Sequence, residues 1–162
     1  MTKHQHIDIL PLTRADHDRV RHIQVAPEQV VYCGTVDMAF ASGEGGLDFY
    51  AIQEAGRAVG SFKIDLKYPQ TYVFARAGDL GLRAFMVDQR VQGRGIGSGA
   101  LRALPPLLRR TYPEAQALVL TVNMRNHAAV RTYLNCGFKD TREIHEGGLA
   151  GPQFVMRLDL LA

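Results

Sequence analysis

The chain has 162 residues, 46% of them hydrophobic and 22% charged, an ordinary composition for one soluble globular domain with a sizeable core. No apolar run approaches the ~18 residues needed to cross a bilayer, and Met1–Asp8 lacks the apolar stretch of a secretory signal. A cytoplasmic protein with no membrane partner is therefore expected.

Along the chain, Ile7 to Leu10 reads as a strand, followed by Thr13 as a helix cap and a helical stretch through about Val25, with Val20 and Ile23 on one face. Pro27-Glu28-Gln29 reads as the first turn of a second helix, with proline where no N–H is needed. Ser42 to Gly46 is a loop. Phe49 to Gln53 and Ala58 to Leu66 then form a hairpin turned at Glu54-Ala55-Gly56-Arg57. Leu80 to Val87 is a strand that runs into a glycine-rich loop and a helix. Pro105-Pro106 predicts a kink or restart in that helix, because each proline removes an N–H. Ala117 to Val122 is almost continuously apolar, as a strand covered on both faces would be. Asn126 to Asn135 reads as a helix stopped by Gly137, and two last strands flank Gly147-Gly148. This order predicts an α/β protein of the α+β kind, a single domain over 1–162. Its sheet should be mixed, mostly antiparallel, of six to seven strands, with helices on both faces.

Charge is unevenly spread. Residues 1–66 hold nine acidic and six basic side chains, and residues 67–162 hold seven and thirteen. Such a split suggests that one part faces an anion and the other a cation. Basic residues are not interleaved with aromatics and no nucleic-acid motif occurs, so no nucleic-acid partner is expected. Cys33 and Cys136 form no CxxC pair and read as separate reduced thiols. His4 and His6 read as a tail rather than a metal site, and no metal is expected.

The segment with the clearest chemistry is Gln92-Gly93-Arg94-Gly95-Ile96-Gly97-Ser98, after a strand and at the start of a helix. Glycines there let a ligand approach the backbone, and free N–H groups converge at the positive end of the helix dipole. That is the chemistry of a diphosphate site. Gly95-Ile96-Gly97-Ser98-Gly99-Ala100 also satisfies the dinucleotide string G-x-G-x-x-A, but the next strand ends at Val122-Asn123 with no carboxylate for a ribose. A P-loop is excluded because no Gly-Lys-Ser/Thr follows.

Gln92, Gly95 and Gly97 meet the pattern Q/R-x-x-G-x-G/A, which resembles the pyrophosphate motif of the GNAT superfamily of acetyl-CoA-dependent N-acetyltransferases. A second segment is similar to that family's N-x-x-A-x-x-x-Y-x-x-x-G-F, with Asn126, Ala129, Tyr133, Gly137 and Phe138 in register. Asn126 and Tyr133 stand two helical turns apart and share a face. Arg83 to Gly95 and Val25 to Tyr32 further resemble bacterial spermine/spermidine acetyltransferases.

The resemblance implies a GNAT-like sheet whose two central strands splay, with the cofactor, acetyl-CoA, in the gap. Pantetheine would lie along Phe85, Met86 and Val87. The diphosphate would sit on Gln92, Gly93, Arg94, Gly95, Ile96, Gly97 and Ser98, with Asn126 and Tyr133 completing the site and Arg90 and Arg94 adding charge. It also implies direct transfer to a primary amine, a small cationic acceptor such as a polyamine, in a ternary complex. That chemistry asks for a base for the amine, a donor for the developing oxyanion (a backbone N–H around Met86), and an acid for the leaving thiolate. Tyr133 occupies the family's acid position. The family's usual glutamate position is Arg83, which leaves Glu28, Asp48, Asp88 or a water chain for the base, with Glu28 the residue chosen. A homodimer is a candidate assembly. Acetylation of a protein or peptide amine, and a non-catalytic acyl-CoA-binding module, are the alternatives.

Overall fold

The computed structural model describes residues 6–161. His4 lies outside them; His6 stands 3.0 Å from Asp8. Seven strands form one sheet. β1 (Ile7–Leu12), β2 (Leu47–Glu54), β3 (Arg57–Asp65) and β4 (Asp79–Val87) run as an antiparallel meander. β5 (Ala117–Asn123) joins β4 in parallel, and β7 (Gln153–Asp159) and β6 (Lys139–His145) complete an antiparallel far side.

The expected hairpin is present, with Ala55 and Gly56 both at positive φ (51° and 79°), the two-residue geometry that matches strand twist. The expected helix after Thr13 is shorter than its apolar spacing suggested. Arg14–Arg19 is a 3-10 segment, its entry tied by the Thr13 N–H donating to Asp16 at 2.7 Å. Val20 and Ile23 are buried just beyond it, because an i, i+3 apolar pair serves a turn as well as an α-helix. α1 (Pro27–Cys33) and α2 (Val36–Ala41) follow, and the four-residue α3 (Tyr68–Thr71) precedes β4. Sequence periodicity did not mark α2 or α3.

Helices cover both faces. α4 (Ile96–Thr111) and α5 (His127–Asn135) lie over a core of Ile52, Phe62, Leu101, Leu104 and Leu120. The N-terminal helical region covers Phe49, Ala51 and Met86 on the other face. α4 shows no restart at the prolines: its 16 residues are one helix with Pro105 and Pro106 inside. Each proline costs about 3 kcal/mol in a helix interior. Fully burying Leu101, Leu104 and Leu108 returns about 1.5–3 kcal/mol apiece, a gain of the same size as that cost.

The feature that positions the site is a break in β4. Ser61 pairs with Met86 and Lys63 with Arg83, so β4 carries one extra residue there. Ala84 takes that bulge, at φ 52°. β4 pairs with β5 only from Asp79↔Ala117 to Gly81↔Val119. Beyond Gly81 the strands part. Gly81 itself is needed because the Tyr68 ring packs where its Cβ would be, 2.1 Å away.

Candidate active site

The parting of β4 and β5 opens a cavity of about 670 Å³. Phe85, Met86 and Val87 form one wall, and Thr121, Val122 and Asn123 of β5 form the other. Leu82 to Val87 thus presents a strand edge that β5 has left, where an extended ligand can bond as a strand would.

At one end lies the glycine loop. Gln92, Gly93, Gly95, Ile96, Gly97 and Ser98 all line the cavity. Gly93 and Gly95 both sit at φ 79°, and a Cβ on either would meet no protein atom within 4 Å, so the space above them is free for a ligand. Gly95 caps α4, and the first N–H bonded within that turn is Gly99, to the Gly95 carbonyl at 2.9 Å. The N–H groups of Ile96, Gly97 and Ser98 are the orphan donors of the helix start. Gln92 lines the space and also braces its edge. Its amide donates to the Val87 carbonyl at 2.8 Å and exchanges hydrogen bonds with the Gln29 side chain at 2.9 and 3.2 Å, joining α1, β4 and the loop.

The profile of the acetyltransferase (GNAT) family matches residues 16–138, which takes in the splayed strands, the loop and α5. The chain belongs to that family. Acetyl-CoA-dependent N-acetyl transfer is its class of chemistry. Among curated proteins, none matches the sequence. Among solved structures, the aminoglycoside acetyltransferase AAC(6')-Ib with ribostamycin and coenzyme A is similar at TM-score 0.75 and 17% identity, covering 94% of this chain and 93% of that one. The ribosomal-protein-S18-alanine N-acetyltransferase from Escherichia coli is similar at TM-score 0.69 and 17% identity, covering 97% and 96%. A spermidine N-acetyltransferase chimera from Vibrio cholerae and hSSAT is similar at TM-score 0.66 and 15% identity, with 95% of each chain covered.

In this acetyltransferase the loop fits a diphosphate through backbone rather than through side-chain charge. Arg94, expected among the cofactor residues, does not line the cavity; its guanidinium pairs with Glu54 at 3.0 Å. Arg90 is held by Asp88 at 2.8 Å and by the His22 carbonyl at 3.0 Å. Asn126 does line the cavity, and its side chain caps α5 by accepting from the Ala129 N–H at 3.4 Å.

Tyr133 is half-buried on the cavity wall, its ring edge-on to Phe85 and Phe138 with centroids 6.4 and 5.5 Å away. Its hydroxyl has no hydrogen-bond partner among the described residues. Burial, with a smaller contribution from Cys33 nearby, raises its pKa above the ordinary phenol value, so it keeps its proton at neutral pH. Cys33, also on the wall, is pushed up to about 11 by burial.

The expected bases fall elsewhere. Glu28 is exposed on the first turn of α1 and does not line the cavity, whereas Gln29, Tyr32 and Cys33 on the other face of that helix do. Asp48 accepts from the Tyr112 hydroxyl at 2.5 Å, away from the cavity. Asp88 is buried and caps the 3-10 turn Gln89–Val91. Burial works against its charge, but hydrogen bonds from the Arg90 side chain and backbone still hold its carboxyl below the usual range. His127 is exposed. No Asp or Glu lines the cavity among the described residues. No group of three or more His, Cys, Asp or Glu able to hold a metal occurs among them either.

Sequence reasoning missed Tyr32, Cys33, Tyr72, Thr121 and Gln153 as wall residues. For α1 a signal existed: Gln29, Tyr32 and Cys33 stand at i, i+3 and i+4, one helix face. Thr121 and Gln153 are brought in by strand order, and Tyr72 by the chain just after α3.

Proposed function

We propose that this acetyltransferase moves an acetyl group directly onto a primary amine of a small molecule, in a ternary complex, with Phe85 to Val87, Gln92, Gly93, Gly95 to Ser98, Asn126 and Tyr133 around the donor. Acetyl-CoA, when bound, supplies the activated thioester. The N–H groups of Ile96, Gly97 and Ser98 receive the diphosphate, and the Gln29–Gln92–Val87 link keeps the loop aligned with β4. Tyr133 holds a proton on the wall of the gap for the departing sulfur. The observation that carries the reading is the coincidence of the parted β4–β5 edge with an open glycine loop at a helix start.

Direct transfer is favoured over a covalent acyl-enzyme because the thiol on the wall is a poor nucleophile. With its pKa at about 11, Cys33 is almost wholly protonated at neutral pH. The missing carboxylate leaves proton removal from the amine to water in the gap. It also lends some support to a second reading, an acyl-CoA-binding module without turnover. The cation preference drawn from the acidic first part of the chain finds no carboxylate on the cavity wall.

An amine panel with acetyl-CoA, reading free thiol, separates these readings. Turnover on any amine removes the binding module. Acetyl-CoA binding with no turnover on a broad panel supports the module instead. In the same experiment Gly95→Val should abolish acetyl-CoA affinity, and unchanged affinity would rule the cradle out.

A further inference from the structure

The cavity between β4 and β5 shares Tyr72 and Arg83 with a second pocket of about 370 Å³, which is also lined by Glu44, Asp65, Lys67 and Thr71. An acceptor whose amine enters the gap has room here for the rest of its length. The charges of this pocket therefore bear on what the acceptor is.

Both carboxylates are already engaged. Glu44 accepts from the two terminal nitrogens of Arg83 at 2.6 and 3.4 Å. Asp65 accepts from Arg83 at 3.1 Å and from the Lys67 backbone N–H at 2.9 Å. The Lys67 ammonium has no ion pair or hydrogen bond among the described residues. Its stem is laid over Gly46, whose Cβ would come within 2.7 Å of Lys67 Cγ, and this packing directs the ammonium along the loop that holds Glu44.

More positive charge stands behind. Lys63 faces Arg83 in register across β3 and β4, is only 5% exposed, and has no ion-pair partner among the described residues. Its pKa is lowered, by burial first and then by the charge of Arg83, with Glu44 opposing. Arg14 adds a further cation, which donates to the backbone carbonyls of Phe40, Ser42 and Glu44 and lies over the Phe49 ring, 5.0 Å from its centroid, with no carboxylate partner among the described residues. Four cations thus stand against two carboxylates, and the carboxylates are the fully occupied members. A cationic tail entering this pocket meets surplus like charge, while an anionic tail meets the unpaired ammonium of Lys67.

We infer that the amine acceptor carries a carboxylate, which seats in this second pocket against Lys67 and Arg83 while the amine reaches toward Tyr133. This rests on the acetyltransferase reading above and names its substrate class. The amine forms its N–C bond as the thioester C–S bond breaks. The ammonium gives up one proton to water before it attacks; Tyr133 gives its proton to the departing sulfur and is reprotonated, through water, by the second proton that leaves the nitrogen.

The test compares β-alanine, γ-aminobutyrate and ε-aminocaproate with n-hexylamine and cadaverine, each with acetyl-CoA, reading kcat/KM from thiol release. The best amino-carboxylate should exceed both comparison amines by about tenfold or more, and added salt should narrow the gap. Lys67→Met, at an exposed position, should cut the ratio of the best amino-carboxylate to n-hexylamine severalfold, with folding checked by Tm. Cadaverine or n-hexylamine turning over as well as the amino-carboxylates would overturn the inference and leave the acetyltransferase reading standing. So would a ratio that Lys67→Met leaves unchanged. Intact acetyl-CoA binding with no turnover of any amino-carboxylate overturns the substrate class, whereas failure to bind acetyl-CoA overturns the reading beneath it.

Discussion

Gln92 donates from its side-chain amide to the Val87 carbonyl at 2.8 Å, closing the end of β4 onto the start of the glycine loop. Gln29 joins the same knot from α1, exchanging hydrogen bonds with Gln92 at 2.9 and 3.2 Å. The motif's glutamine thus braces the cradle that it also lines. Gln92→Ala removes these bonds, each worth about 1 kcal/mol net. Acetyl-CoA affinity should fall about tenfold in a calorimetric titration while Tm drops by only a few degrees. An unchanged affinity would mean that the loop keeps its shape without Gln92.

The role of Tyr133 is open to a pH–rate comparison. Its raised pKa keeps the phenol protonated through neutral and mildly alkaline pH, so it can act as an acid across the working range. Tyr133→Phe keeps the ring against Phe85 and Phe138, and turnover should fall by roughly 10²-fold. The deficit should shrink as pH rises past the thiol value of about 8.5, where the sulfur can leave as thiolate unaided. A variant that matches the parent at every pH would make Tyr133 a packing residue.

Much of this was legible in local sequence. The glycine loop, the 54–57 turn and the Asn126-to-Tyr133 helix each depend on residues close together in the chain, and each was found where expected. The splay was legible only through family resemblance, because its local cause is a bulge at Ala84, and alanine gives no hint of a positive φ. The base was misplaced for a related reason. Glu28 and Gln29 are adjacent, but a helix turns neighbours about 100° apart, and only Gln29 faces the gap. The pairing of Arg83 with Glu44 and Asp65 joins residues from a loop, β3 and β4, which no spacing rule brings together.

That pairing has a pH signature. The Arg83 hydrogen bond to Glu44, opposed by burial and helped by the charges of Arg83 and Lys63, holds the Glu44 carboxyl below its ordinary range. A depressed carboxylate pKa adds stability that is present above the unfolded value of about 4.3 and is lost as pH falls through the folded one. Arg83→Met should return Glu44 toward the ordinary value, read by carboxyl-carbon NMR. It should also cost on the order of 2 kcal/mol, because the Asp65 side chain, 4% exposed, loses its cation. A Glu44 titration that stays put would show that the ion pair does not form in solution.

The prolines inside α4 make a stability prediction. Pro106 is exposed, so Pro106→Ala removes little packing and restores a helical N–H. The gain from helix propensity, about 3 kcal/mol, is offset by about 1 kcal/mol of added freedom in the unfolded chain. Thermal unfolding should shift upward by several degrees. A neutral or lowered Tm would mean that the helix is interrupted there after all.

Direct transfer within one ternary complex is tested most simply by initial rates with both substrates varied, scoring thiol and N-acetylated amine together. Equal amounts of the two products and double-reciprocal lines that intersect are expected, because donor and acceptor must occupy the gap between β4 and β5 at the same time. Parallel lines, with acetyl label trapped on the protein at Cys33, would contradict it.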